Sequence, residues 1–147
     1  MTLDILAALR TASVIAAAGE LAEYKGEPAI FTRRPIPDDA PDLYLLINPP
    51  AAITDADGLN SDRPIITHDL AVYGRKGAPG SSTDQTRDVE RISFLLRAYF
   101  HRDRFSVLPS GYYAIDVQAR GPFVAPTDDE QTVGRIVSLT IRLRREQ

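Results

Sequence analysis

The sequence contains no cysteine, which excludes disulfides, cysteine-ligated zinc, iron–sulfur clusters and thiol nucleophiles together. An absent residue leaves the redox compartment unread. Histidine is almost as scarce: His68 and His101 are the two. Neither has a carboxylate or a second histidine at ligand spacing, so no metal site is expected. Charge of one sign is also lacking. Lys and Arg number 17 against 20 Asp and Glu, a net charge of −3, which gives no general pull toward nucleic acid or an anionic membrane. A long apolar run is missing too. The first 18 residues are Ala-rich, but Asp4 and Arg10 interrupt them, and the stretch lacks a basic leader and the length of a spanning helix. It reads as the packed first helix of a cytoplasmic product with no membrane association.

What remains is an ordinary globular composition, 44% apolar and 25% charged in 147 residues. A single domain of this size buries roughly 70% of the surface its unfolded chain exposes, enough for one sizeable core. Leu3, Ile5, Leu6, Leu9 and, less regularly, Val14 and Ile15 recur at near-helical spacing, and Gly19 stands where a helix would stop. Pro28, Pro35, Pro37 and Pro41, mixed with Arg33, Arg34, Asp38 and Asp39, resist both ladder and helix hydrogen bonding, so residues 28–41 read as an extended arm or surface loop. Leu43 to Ile47 is a short apolar strand bounded by Pro41 and Asn48. Residues 54–64 are polar turn formers expected to project into solvent. This loop and the Pro-rich arm are expected to be mobile in a free subunit and to order on assembly.

The second half is more regular. Ile66, His68, Leu70 and Val72 alternate with Ile65, Thr67, Asp69 and Ala71, the period of a strand with one face buried. Gly74 to Gly80 reads as a flexible connection. Ser82 and Gln85 form a capping box ahead of Val89, Ile92, Leu96 and Tyr99, which predicts a helix over about residues 83–101. A strand follows from Gly111, with Tyr113, Ile115 and Val117 on one side and Tyr112, Asp116 and Gln118 on the other. Residues 119–132 read as a long, mobile connection. In the last strand Val137, Leu139, Ile141 and Leu143 point one way and Ser138, Thr140, Arg142 and Arg144 the other. The order has no βαβ alternation and no internal repeat. It predicts an α+β fold: an antiparallel or mixed sheet of four to five strands with two main helices packed on one face.

Motifs that carry chemistry are missing from this framework. His68 falls on the apolar phase of its strand, the setting of a hydrogen-bonded core histidine, and His101 sits at a helix end where it favours the dipole. Asp55, Asp57 and Gly58 fail as a calcium loop. With Gly58 at the turn glycine, Ile53 occupies the first carboxylate position and Pro64 the bidentate one. The run Gly74 to Ser82 has the ingredients of an anion-binding helix start, but Lys76 precedes the last glycine and Pro79 removes an amide, so it is not a Walker loop. Ser110 has no nucleophile elbow around it. No catalytic residue, metal or cofactor is expected. The charges left for a role are Arg142 and Arg144 on an exposed strand face. They read either as solubilising, gatekeeping residues or as partners for acids on a neighbouring subunit, for example Asp38 and Asp39 or Asp128, Asp129 and Glu130.

The layout as a whole resembles the tail completion, or tail terminator, family of long-tailed bacteriophages, prophages and related gene transfer particles. The resemblance is carried by the opening Leu-Asp-Ile-Leu-Ala-Ala-Leu-Arg at 3–10 and the Pro-rich segment before the strand Leu43 to Ile47. It continues through Thr-His-Asp-Leu-Ala-Val-Tyr-Gly at 67–74, Asp-Val-Glu-Arg-Ile-Ser-Phe-Leu-Leu at 88–96 and Ser-Leu-Thr-Ile-Arg-Leu at 138–143. It spans nearly the whole chain through order and pattern, without an invariant motif. It implies a homo-oligomeric ring, commonly a hexamer, on the head-proximal end of the tail tube. There the ring ends tube polymerisation and offers the surface that meets the head connector or head-closure protein, with DNA only as passing cargo. The place implied is the virion tail, assembled in the bacterial host cytoplasm. Two rivals are framed by structure. A β-barrel without the helix at 83–101 would favour a head-closure or neck protein, and a deep pocket gathering His68 with Tyr73, Tyr112 or Asp116 would favour a small-ligand binding domain.

Overall fold

A computed structural model describes residues 6–48, 52–55, 64–77, 83–101, 112–127 and 130–145. The first helix, α1, runs Leu6–Ala17 and ends just before Gly19. Its buried stripe is Leu9, Ala12, Ser13, Ala16 and Ala17, the three- and four-residue spacing of one helix face. Val14 and Ile15, expected among the periodic apolar positions, lie off that stripe and are exposed. In so Ala-rich a helix small residues fit either side, so the large ones do not mark the core face.

Two short strands follow, β1 (Glu23–Tyr24) and β2 (Glu27–Pro28), joined by Lys25 and Gly26. Both turn residues have positive φ, 52° and 82°, as a type I′ hairpin requires. The next strands are β3 (Ile30–Phe31), β4 (Tyr44–Ile47) and β5 (Ala52–Asp55). They are followed by β6 (Pro64–Arg75), α2 (Thr86–Phe100), β7 (Tyr112–Val124) and β8 (Thr132–Arg145). The main sheet is six-stranded and mixed, in the order β3-β4-β6-β8-β7, with β5 continuing the β4 edge along β6. The fold is α+β, as expected, with more strands than the sequence shows.

Several boundaries differ from expectation. Residues 28–31 are not a free arm: β3 pairs in parallel with β4, and Ala29 and Ile30 are buried. Residues 119–124 are strand rather than connection, because β7 continues through a register shift between Arg120 and Phe123 and leaves only the turn after Val124. Gly and Pro there mark a bulge on an edge strand, a composition that also reads as loop. Thr54, Asp55 and Pro64 belong to β5 and β6, and the rest of the expected 54–64 loop lies outside the described residues.

Helix α2 starts three residues later than the predicted span. Gln85 makes no side-chain cap, and its Oε1 accepts from the Arg75 amide at 2.8 Å. Asp84 caps locally instead, its Oδ1 accepting from the Thr86 hydroxyl (2.7 Å), the Thr86 amide (3.2 Å) and the Gly77 amide (3.3 Å). These bonds, the hydroxyl first, hold the Asp84 carboxyl below the usual carboxylate range. The Ser82 half of the expected capping box lies outside the described residues. A carboxylate held below its unfolded value adds stability that is present above the unfolded value and lost as pH falls through the folded one. Asp84→Ala is therefore expected to lower the thermal midpoint at neutral pH. The gap to the parent should close below about pH 4, as melts across pH would show.

One face of the sheet carries the helices. Ile66, Leu70 and Val72 of β6, Val137, Leu139, Ile141 and Leu143 of β8, and Val117 and Ala119 of β7 bury against Val89, Ile92, Leu96 and Phe100 of α2. Helix α1 packs on α2 and touches β4. On the other face, among the described residues, only one end is covered. There Leu46, Ala71, Tyr73 and Ala125 form a small cluster under Phe31, Ile36 and Tyr44.

Candidate assembly surface

The open face of the sheet is polar because the two-residue period sends every second side chain away from the helices. The register lines up Asp69, Ser138 and Arg120, then Thr67, Thr140 and Gln118, then Ile65, Arg142 and Asp116 across β6, β8 and β7. Arg142 and Arg144 lie exposed on this face, as expected. In β7 the alternation breaks at Ile115. The register pairs Ala114, not Ile115, with buried Leu143, and Asp116 with Arg142, so Val117 does not share a phase with Tyr113 as a regular strand would require.

The acids gather at one end of the sheet. Asp38 and Asp39 are exposed in the segment between β3 and β4, and Asp39 Oδ1 accepts from the Tyr24 hydroxyl at 2.9 Å. A shallow cavity of about 380 Å³ borders that segment at Pro37, Ala40 and Asp42 and the start of β8 at Gln131 and Thr132. Glu130 is exposed in the turn beside it. Asp128 and Asp129 lie outside the described residues. The arginines sit near the other end of β8, about ten residues away, or roughly 30 Å of extended strand. The structure thus brings Asp38, Asp39 and Glu130 to one end and keeps Arg142 and Arg144 apart from them. The acidic end also carries exposed Arg75 and Lys76, so its sign is mixed.

The groups that could have revived a chemical reading do not converge. His68 is buried on the helix side, with Nδ1 2.9 Å from the Asn48 carbonyl oxygen, an acceptor that requires the ring to donate there. Tyr73, five residues on, and Asp116, opposite Arg142, belong to the other face. The Tyr112 side chain lies outside the described residues. His101 closes α2, as expected for a helix end, and its Nδ1 accepts the Ala119 amide of β7 at 3.3 Å. At the start of α2 the Gly77 and Thr86 amides are already engaged by Asp84, and residues 78–82 of the anion cradle considered at 74–82 lie outside the described residues. Tyr44, beside the cavity, has its hydroxyl pKa raised by burial, against the lowering field of Arg34. Among the described residues no cluster of His, Asp or Glu fit for a metal ion occurs, and no helix is long and apolar enough to cross a membrane.

Sequence reasoning missed a different set: the exposed apolar side chains Val14, Ile15, Phe94, Phe123 and Val124. Phe94 had a readable signal, since it falls off the stripe of Val89, Ile92 and Leu96. The other four needed the structure.

No protein-family model and no curated protein matches this sequence. Among solved structures, a chain of the virion of a native gene transfer agent particle shares the fold. The alignment covers 90% of this chain and 93% of that one, with a TM-score of 0.56 at 14% sequence identity.

Proposed function

We propose that this chain is a virion structural protein of the tail completion class, acting by binding and steric capping without turnover. The observation that supports this most is the end-to-end similarity of its fold to a chain of a gene transfer agent virion. It comes on top of the sequence pattern that resembles tail terminators. In this reading the chain is a single domain that assembles as a homo-oligomeric ring, a hexamer, on the head-proximal end of the tail tube. The ring stops tube growth and presents the surface met by the head connector or head-closure protein, while DNA passes through. The protein would reach that place by assembly in the bacterial host cytoplasm. With the acids and the arginines at opposite ends of β8, any pairing between the two groups would run from one subunit to another.

The presence of α2 favours this reading over a helix-poor head-closure barrel, and the divergence of His68 from Tyr73 and Asp116 disfavours a ligand-binding module. The test is native mass by light scattering, followed by growth of purified tail-tube protein with and without the chain. The expected mass is about six times the 16.2 kDa of one chain, and tubes grown with the chain should stop short. Tubes of unchanged length would defeat the terminator role, and a ring that binds the connector but not the tube would move the protein to the head side of the junction.

A further inference from the structure

Isolated exposed apolar residues are ordinary on protein surfaces, so their number carries no message and their placement does. Val14, Ile15, Phe94, Phe123 and Val124 are exposed by 39%, 60%, 59%, 53% and 75%. They divide between the two flanks of one sheet. Arg10, one turn before Val14, donates to the Ile30 carbonyl in β3 and pairs with Glu27 in β2 at 3.4 Å, which fixes this face of α1 beside the β3 edge. Val14 and Ile15, with Pro28, line a groove of about 320 Å³ there. The other three sit at the opposite flank. Phe123 and Val124 lie on β7, the far edge strand, where alternation turns Phe123, opposite Ile136, to the open face and Val124 to the helix face. Val124 is registered with Arg135, whose guanidinium bonds Glu90 at 3.3 Å. Phe94 follows Glu90 by one helical turn on the same side of α2.

Strand addition does not account for the β7 patch. The edge is interrupted by two register shifts, and Pro122 between Arg120 and Phe123 has no N–H to give a ladder. Contact there is made by side chains. Two arginines that border the patches are paired, Arg10 with Glu27 and Arg135 with Glu90, which limits the charge that docking would strip of water. One patch is a groove and the other projects from an edge strand and a helix, and the two lie on opposite flanks. Unlike patches so placed join head to tail, and such a contact closes into a ring when its rotation allows. We propose that Phe94 and Val124, on the helix side of the β7 flank of one subunit, seat against the groove between α1 and β2 of the next, the partner being a second copy of this chain. This inference rests on the ring reading and assigns its lateral contact.

The test uses Ile15→Glu and Val124→Glu, both at well-exposed positions, with thermal midpoints to confirm that each variant folds. Light scattering is expected to show a ring for the parent and monomers for each variant alone. An equal mixture should give a dimer and nothing larger, because Ile15→Glu keeps a good β7 flank, Val124→Glu keeps a good groove, and each blocks further growth. A ring formed by either variant alone, or a mixture that stays monomeric, overturns the contact while leaving the ring reading in place. Open chains or dimers of the parent that both variants break would keep the contact and remove the ring. A parent that is monomeric at every concentration overturns the contact.

Discussion

Phe100→Ala is expected to destabilise the chain by about 3–5 kcal/mol, whereas Phe94→Ala on the same helix should stay within about 0.5 kcal/mol of the parent. Both residues are phenylalanine in α2, so propensity and composition cannot separate them. Burial does. Phe100 is fully buried at the end of the helix, with its ring edge-on to Tyr99 at 5.3 Å, and α2 is the element that spans β6, β8 and β7. Truncation there removes apolar burial and leaves a cavity between helix and sheet. Phe94 is more than half exposed and points away from that contact. Since small domains hold only about 5–15 kcal/mol in total, the first variant should be marginal and the second ordinary. Denaturant titration of the subunit, at concentrations where it is not assembled, would measure both. Equal losses would mean that the two faces of α2 are misassigned.

Gly121→Ala is expected to cost about 3 kcal/mol or more, since a strained backbone angle costs about 1–3 and overpacking a similar amount. The comparison is Gly26→Ala, which should cost about 1–2 kcal/mol. Both glycines have positive φ, 110° and 82°. A Cβ on Gly26 meets nothing within 4 Å, while one on Gly121 would stand 2.6 Å from the Ile136 carbonyl oxygen and 2.9 Å from the Phe123 nitrogen. Those are backbone atoms of the facing strand β8 and of β7 itself, so no side chain can swing away to make room. The same bulge sets the direction of Phe123 and Val124, so a Gly121 variant that still folds should also weaken self-association. A Gly121→Ala stability equal to that of Gly26→Ala would show that the bulge relaxes freely.

The elements that read clearly in the sequence are those whose pattern is set by one dominant face. The β8 alternation of Val137, Leu139, Ile141 and Leu143 with Ser138, Thr140, Arg142 and Arg144 appears as expected, and so does the buried phase of β6 with His68 in it. Helix α2 is as legible, because its face of Val89, Ile92 and Leu96 is apolar and the opposite one charged. Elements failed where local chemistry was ambiguous. Pro28 and the Gly-Pro of β7 look like loop residues, yet both positions lie at sheet edges or bulges, where a missing N–H is tolerated.

The candidate contact surface divides in the same way. Exposure of Arg142 and Arg144 follows from alternation alone, because their neighbours in sequence must face the core. That Asp38, Asp39 and Glu130 share an end of the sheet could not be read, because it depends on the segment after β3 folding back beside the β7–β8 turn, about ninety residues later, and no local rule carries information over that distance. The sequence by itself determined the fold class, the core face of each regular strand and the absence of cysteine chemistry, since composition and periodicity act residue by residue. Only the tertiary structure decided that β7 runs through its bulge, that α1 turns Val14 and Ile15 outward, and that the exposed apolar side chains stand on opposite flanks. Each of these depends on which elements become neighbours, and that is settled by packing the whole sheet against both helices.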